Sequence, residues 1–258
     1  VPRELSDALE HDQLRVVYQP QVSLKDGRLL ALEALVRWQH PSDGLVLPEH
    51  FLALAEERGL IDDLLMQVMD KALGQVRRWR DQGVTPTLAV NLSGYNLRRP
   101  DLADALLALL ARHGVDASKC RLELSEASLP QLTPAARDTL GRLRKLGFGL
   151  AVDDFGSGHA SLSDLRALPF DQLKIDPGLV HGCSQCTARR ATLKASLAMA
   201  RQCGLQAVAE GVEDAADWDT VRDAGCDAAQ GYFVGRPIAA DLLPGWITGF
   251  RKRYPQIA

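Results

Sequence analysis

Leu14-Arg-Val-Val-Tyr-Gln-Pro-Gln-Val22, the link Ser23-Leu-Lys25-Asp26-Gly27-Arg28, and Leu29-Leu-Ala-Leu-Glu33-Ala-Leu-Val-Arg-Trp38 together decide how this chain folds. Both outer runs are rich in β-branched and large apolar residues, and Asp26-Gly27 is a hairpin signal. A link this short has no room for a crossover helix, so the two strands run antiparallel. Beyond them the pattern changes. β-Rich runs at Thr87–Leu92, Cys120–Leu124, Phe148–Phe155, Gln172–Ile175, Leu205–Ala209 and Ala228–Val234 alternate with helical stretches. That alternation implies a parallel sheet. The expected architecture is α/β: a (βα) barrel of eight strands with one strand reversed. A doubly wound open sheet is the alternative.

The helices carry their own punctuation. Leu64, Leu65, Val68, Met69, Ala72, Leu73, Val76 and Trp79 repeat at spacings of three and four, one apolar face assigned to packing against the barrel. Thr133 reads as an N-cap with Pro134 at the first helical position. Leu140, Leu143 and Leu146 line one face, and Gly147 stands where a C′ glycine belongs. A further helix runs from about Thr187 to Cys203 and stops at Gly204. Arg3 to Leu14 also reads as helical. The chain starts at Val1, and residues 1–258 are expected to be one domain cut from a longer protein.

The chain of 258 residues is 46% hydrophobic and 24% charged, which suits one barrel better than two domains. It can bury roughly three-quarters of its unfolded surface and needs no disulfide or metal to fold. The formal net charge of −3 argues against a nucleic-acid polymer or a membrane surface as partner. Five cysteines are few, no signal peptide opens the chain, and no apolar run is long enough to span a bilayer. The expectation is a reduced, cytoplasmic domain.

The chemistry lies at the strand ends. Seven consecutive strands finish on polar or ionisable residues: Glu33, Asn91, Glu123 with Glu126, Asp153-Asp154, Lys174 with Asp176, Glu210 with Glu213, and Gln230. In a barrel these ends share one rim, where active sites of that fold sit. Singly, Asn91 or Asp154 would cap a helix and Glu126 would be a solvated charge. Glu33 and Lys174 lie within apolar runs and each needs a partner. Five carboxylates in one cup (Glu33, Glu123, Asp153, Asp154, Glu210) raise one another's pKa. Hard divalent cations such as Mg2+ or Mn2+ relieve that, and they favour carboxylates plus an amide oxygen. No histidine stands at a strand end, which argues against a His-rich zinc site. The pair Asp153-Asp154 suggests one acid shared by two ions, the clamp used for displacement at phosphorus. Lys174 fits an electrostatic role or the positioning of water, and Arg37 could hold a second phosphate. The residues alone reach metal-dependent phosphoryl or proton-transfer chemistry without a substrate. An enolase-type acid–lysine barrel would look the same.

Tyr18-Gln19-Pro20 followed by Glu33-Ala34-Leu35-Val36-Arg37-Trp38 resembles the signature of EAL domains, the cyclic di-GMP phosphodiesterases. Asn91-Leu-Ser, Glu123-Leu-Ser-Glu126, Asp153-Asp154-Phe-Gly-Ser-Gly158, Leu-Lys174-Ile-Asp176, Ala-Glu210-Gly-Val-Glu213 and Gln230-Gly-Tyr232 match in the same order, from about residue 3 to residue 240. The resemblance implies a TIM-like (βα)8 barrel with an antiparallel first strand. It implies opening of cyclic di-GMP to linear pGpG by two Mg2+ or Mn2+ ions, with Ca2+ inhibitory, in a homodimer joined to sensor or other domains. On that pattern Glu33, Asn91, Glu123 and Asp153 hold one metal. Asp153 bridges to the second, which Asp154 and Glu210 complete directly or through water. Lys174 holds the nucleophilic water and Glu210 is the general-base candidate. Gln19, Leu35, Arg37, Asp176, Glu213 and Gln230 contact substrate or support such contacts, and Glu126 anchors the Asp-Asp-Phe-Gly loop. An intact ligand set favours an enzyme. A cyclic di-GMP receptor signalling through a partner, and a dimerisation module, are the alternatives.

Two stretches depart from the family pattern. His159 and Ala160 replace Tyr and Ser after Ser157-Gly158, where the family links the second metal to the dimer interface. Pro177-Gly178-Leu179 replaces a small or basic residue, Ser and Phe after Lys-Ile-Asp. Cys183-Ser-Gln-Cys186, with His181 before it, looks like a metal or redox site. It has no second pair, and a helix begins at Thr187, so it is set aside. His40, before Pro41, is read as a structural loop residue.

Overall fold

The structure, a computed structural model, describes residues 2–158 and 160–253; His159 lies outside the described residues. In chain order the elements are α1 (Pro2–Glu10), β1 (Leu14–Ser23), β2 (Leu29–His40), β3 (Gly44–Val46), α2 (Leu52–Glu57), α3 (Ile61–Asp81), β4 (Thr87–Leu92), α4 (Leu102–His113) and β5 (Cys120–Ser125). There follow α5 (Pro134–Lys145), β6 (Gly149–Phe155), α6 (Leu162–Ala167), β7 (Gln172–Ile175), α7 (Pro177–Val180) and α8 (Thr187–Cys203). The chain ends with β8 (Gln206–Ala209), α9 (Ala215–Ala224), β9 (Ala228–Gln230) and α10 (Leu243–Arg253).

Eight strands close a barrel in the order β1-β9-β8-β7-β6-β5-β4-β2, with β1 pairing back onto β2. β1 is antiparallel to β2 and to β9, and the other barrel pairs are parallel. The fold is thus a TIM-like barrel with a reversed first strand, as the Lys25-Asp26-Gly27 link requires. β3 adds outside the barrel on the far end of β2.

Three sequence boundaries shift. α1 ends at Glu10, because Asp12 takes a left-handed turn (φ 52°) before β1 begins. β9 stops at Gln230 and does not reach Val234, since Gly231 at φ 152° turns the chain back under Val212, whose O and N would meet any Cβ there. His40 ends β2 rather than lying in a loop. It is buried, and its Nδ1 accepts from the backbone N–H groups of Ser42 (3.3 Å) and Asp43 (3.1 Å).

Local chemistry sets the helices. Thr133 Oγ1 accepts from Ala136 N at 3.2 Å and Pro134 opens α5, while Gly147 (φ 103°) and Gly204 (φ 69°) supply the left-handed residues that end α5 and α8. The eight periodic apolar residues of α3 are all buried against the strands. Burying one such side chain contributes roughly 1.5–3 kcal/mol. Among the described residues no helix is long and apolar enough to cross a membrane.

Candidate active site

Strand register brings the polar ends to one rim. Gln19 lies opposite Glu33, Asn91 beside Glu123, and Ser125 beside Asp153. Lys174 reaches into their midst from β7, fully buried. Its Nζ lies 2.7 Å from Glu123 Oε2, 2.9 Å from Asp153 Oδ1, 2.9 Å from Glu210 Oε1 and 3.2 Å from Glu33 Oε2. The bonds to Glu123 and Glu33 have hydrogen-bond geometry, whereas Asp153 Oδ1 meets the ammonium as a charge contact out of hydrogen-bond alignment.

One ammonium cannot neutralise this many acids. Glu123 is pushed up to about 8 by burial, against the pull of Lys174 and with repulsion from Glu33 and Asp153 added. Glu210 is raised by burial in the same way. Asp154, exposed at the mouth, is raised to about 6, by desolvation and then by the neighbouring Asp153 charge. Burial pulls Lys174 down, but the four carboxylates outweigh it and keep the ammonium charged. Glu123 Oε1 is buried without a hydrogen-bond partner. Two sets of three acids, Glu33–Glu123–Asp153 and Asp153–Asp154–Glu210, each bring carboxylate oxygens within 4.8 Å of one another, with Asp153 common to both. Unmet negative charge, an orphaned carboxylate oxygen and all-oxygen donors fit hard divalent cations.

Hydrogen bonds hold the acids in place. Glu33 Oε1 accepts from Asn91 Nδ2 (2.8 Å) and Oε2 from Gln230 Nε2 (2.6 Å), which also reaches Gln19 Oε1 (3.2 Å). Asp154 sits at φ 53°, at a register break between β6 and β7. Aspartate tolerates that left-handed region better than most residues, at a cost of about 1–3 kcal/mol that the surroundings must hold in place. Buried Glu126 supplies part of that constraint. Its Oε2 accepts from Gly156 N (3.0 Å), Ser157 N (2.9 Å) and Ser157 Oγ (2.6 Å), and its Oε1 from Ala160 N (2.9 Å). Burial raises the Glu126 carboxyl, but these donors outweigh it and hold it below its ordinary value.

The remaining sequence candidates lie around this core. Leu35 and Asn91 line a cavity of about 220 Å3 that runs from Glu123, Asp153 and Asp154 to Pro48, Leu52 and the first turns of α3. Leu64, Leu65 and Val68 therefore form a site wall as well as the packing face read from sequence. Arg37 is half-buried and donates to Val36 O at 2.8 Å. Asp176 caps α7, accepting from Gly178 N at 2.7 Å. Glu213 is outside the acid cluster, with Oε2 3.8 Å from His181 Nδ1. Cys183 is buried in the turn before α8, and all five cysteines are free.

Sequence reasoning passed over three participants. Tyr232, exposed beneath Arg236 (4.2 Å from its ring), shares a second cavity with Gln19, Glu210, Glu213 and Gln230. Its place two residues after Gln230 was the available signal. Glu56 accepts from Ser93 Oγ at 2.6 Å at the edge of the first cavity. Buried Asp217 binds Gly182 N (2.9 Å) and Glu213 N (3.2 Å). Neither acid stands at a strand end, so the pattern did not mark them.

Comparison with known proteins agrees with this geometry. The EAL domain family matches residues 2–237. The chain is 38% identical over 241 residues to the bifunctional diguanylate cyclase/cyclic di-GMP phosphodiesterase MucR of Pseudomonas aeruginosa, covering 93% of this chain and 35% of that protein. It is 38% identical over 249 residues to the cyclic di-GMP phosphodiesterase NbdA of the same organism, covering 96% of this chain and 32% of the relative. It thus spans about a third of the length of these curated relatives. Among solved structures, the P. aeruginosa MucR phosphodiesterase in complex with c-di-GMP superposes with a TM-score of 0.88 at 38% identity, over 93% of this chain and 98% of that one. The FimX EAL domain of P. aeruginosa bound to c-di-GMP superposes at 0.85 with 25% identity, over 93% and 97%. With its signature acids gathered on one barrel rim and the family match running nearly end to end, the chain belongs to the EAL domain family.

Proposed function

We propose that this chain hydrolyses cyclic di-GMP to linear pGpG with two divalent cations, Mg2+ or Mn2+, at the Lys174 rim. The observation that carries the reading is the pair of carboxylate sets that share Asp153. Glu33, Asn91, Glu123 and Asp153 would hold one ion, and Asp153, Asp154 and Glu210 the other. Bound there, such ions supply an activated water and charge stabilisation at the leaving oxygen.

The chain's own groups do the rest. The Lys174 ammonium orients the attacking water by donating to it and offsets negative charge as the phosphorane forms. Glu210, whose Oε1 lies 2.9 Å from the Lys174 ammonium, takes the water proton. Arg37 binds a phosphate, while Gln19, Leu35, Asp176, Glu213 and Gln230 position the nucleotide or support the residues that do. Ca2+ would compete for the same oxygens and is read as inhibitory. The unit works in the cytoplasm as a homodimer, and relatives about three times as long support its place within a longer chain.

Product analysis tests the proposal. With Mg2+ the expected product is pGpG, abolished by Glu33→Ala and by chelator. Tight cyclic di-GMP binding with no pGpG at high protein concentration would refute hydrolysis and leave a receptor.

A further inference from the structure

The four-residue helix α7 is gripped between two glycines. Leu179 Cδ1 stands where a Cβ on Gly156 would be, and the Cβ and Cα of Pro177 lie 2.6 and 2.9 Å from a Cβ built on Gly211. Gly156 (φ 123°) follows Asp154 by two residues, and Gly211 (φ 66°) directly follows Glu210. Positive φ and close approach both demand glycine at these positions. The backbone repeats the arrangement. Asp176 N donates to Phe155 O (3.0 Å), and Glu210 N donates to Ile175 O (3.1 Å). Pro177 is exposed and Leu179 is half-buried at the margin of the hydrophobic core, so this packing joins the two loops at the core's edge. Pro177 also fixes the first turn of α7 in helical geometry.

These contacts bear on Asp154, whose left-handed backbone persists only if its surroundings over-determine it. Glu126 holds that loop by hydrogen bonds, and Leu179 packs against it at Gly156. Resting on the two-cation reading, we propose that α7 is a wedge that sets the separation of the Asp153–Asp154 loop from the Glu210 loop. Leu179 and Pro177 are then positioning residues for the three acids assigned to the second ion. They act through the two glycines, and Pro177 also lines the cavity it shares with Gln19, Glu210, Glu213 and Gln230, so Leu179 is the position that isolates the spacing effect. The departure Pro177-Gly178-Leu179 from the family pattern is the place where this chain has its own version of that spacer.

The test uses the full chain and three readouts. Mn2+ binding to nucleotide-free protein is followed by the electron paramagnetic resonance of free Mn2+. Melting is followed in EDTA, and turnover across a Mg2+ series. Leu179→Ala, half-buried and tolerable for folding, is expected to weaken the weaker of two Mn2+ sites by about tenfold or more, the usual effect of losing a support behind metal ligands. The Mg2+ midpoint for turnover rises in parallel, the rate at saturating Mg2+ recovers to near native, and Leu179→Met restores both. Leu106→Ala in α4, a fully buried site, serves as control: it lowers the melting temperature and leaves the Mn2+ isotherm unmoved. If Leu179→Ala lowers melting yet leaves both Mn2+ sites unchanged, Leu179 is packing alone and the wedge is refuted. Failure of the underlying reading shows separately, as native protein that binds fewer than two Mn2+ or makes no pGpG, and the wedge falls with it.

Discussion

Replacing Lys174 by methionine removes the ammonium that lies 2.7–3.2 Å from four carboxylate oxygens. At an effective dielectric of about 20, each contact carries roughly 5 kcal/mol of gross attraction. Desolvation of the ammonium and the acids cancels most of that. Deleting one partner of a buried ion pair leaves a net loss of about 3–5 kcal/mol. The structure also shows how the variant can escape part of this. With the ammonium present, Glu123 already titrates at about 8 and Glu210 is raised; without it both are raised further, so their protons are held to higher pH. A raised carboxyl pKa means that the folded state holds protons which the unfolded state has released. Stability is then full below the unfolded value and is lost as pH rises toward the folded one. For Glu123 that window runs from 4.5 to about 8 in the native protein, and it extends higher in the variant.

Urea unfolding in EDTA at pH 6 and pH 8.5 reads this out. The native-minus-variant gap is expected to be about 1–2 kcal/mol at pH 6 and to widen to about 3–5 kcal/mol at pH 8.5. Saturating Mg2+ should narrow it, because cations replace the missing charge. Turnover should fall by about 100-fold or more even where cations bind, since the group proposed to orient water is gone. A gap that is flat with pH, or wider at pH 6, would refute the placement of Lys174 as counter-ion to raised acids.

Three further outcomes follow from the same contacts. Mn2+ binding at pH 6.5 should release protons from Glu123, Glu210 and Asp154, so calorimetric enthalpies should differ between buffers of different ionisation heat; equal heats would contradict the raised pKa values. Glu126→Gln turns an NH2 toward donors it cannot accept from, which should cost about 1–3 kcal/mol and speed amide exchange at Gly156, Ser157 and Ala160, and unchanged exchange would show that Glu126 is not the anchor. Gly231→Ala drives a Cβ into the Val212 backbone at a positive φ and should destabilise by roughly 3 kcal/mol or more, whereas a near-native denaturation midpoint would mean that the turn after Gln230 can relax.

The parts of this fold legible in the sequence are those set by neighbours along the chain. The hairpin follows from Lys25-Asp26-Gly27, the cap of α5 from Thr133-Pro134, and the end of α8 from Gly204, each within a few residues. Glu33 and Lys174 stood out because charge inside an apolar run demands partners, although the sequence does not say which. What stayed hidden depends on distant partners. Asp217 reads as an ordinary helix residue because Gly182, which it binds, is 35 positions away. The left-handed Asp154 is invisible because its constraint comes from Glu126 and Leu179 on other strands' loops. The cavity at the start of α3 was read as packing because periodicity gives a face without saying where the neighbouring strand ends.

The reversed strand explains why closure of the barrel and assembly of the site are one event. In an antiparallel pair, residues stand directly opposite, so the β1–β2 hairpin sets Gln19 against Glu33 using contacts local in sequence. Glu33 is then incomplete. Its Oε1 waits for Asn91 on β4, and its Oε2 for Lys174 on β7 and Gln230 on β9. Gln230 arrives only when β9 pairs with β1 through Gln21, the last seam of the ring, and its amide then spans Gln19 and Glu33 at once. A barrel open at that seam keeps its acids but loses the amide that orients the first of them. Cations held through Glu33 would favour the closed ring over the open one, and by the same linkage divalent ions would stabilise this particular seam.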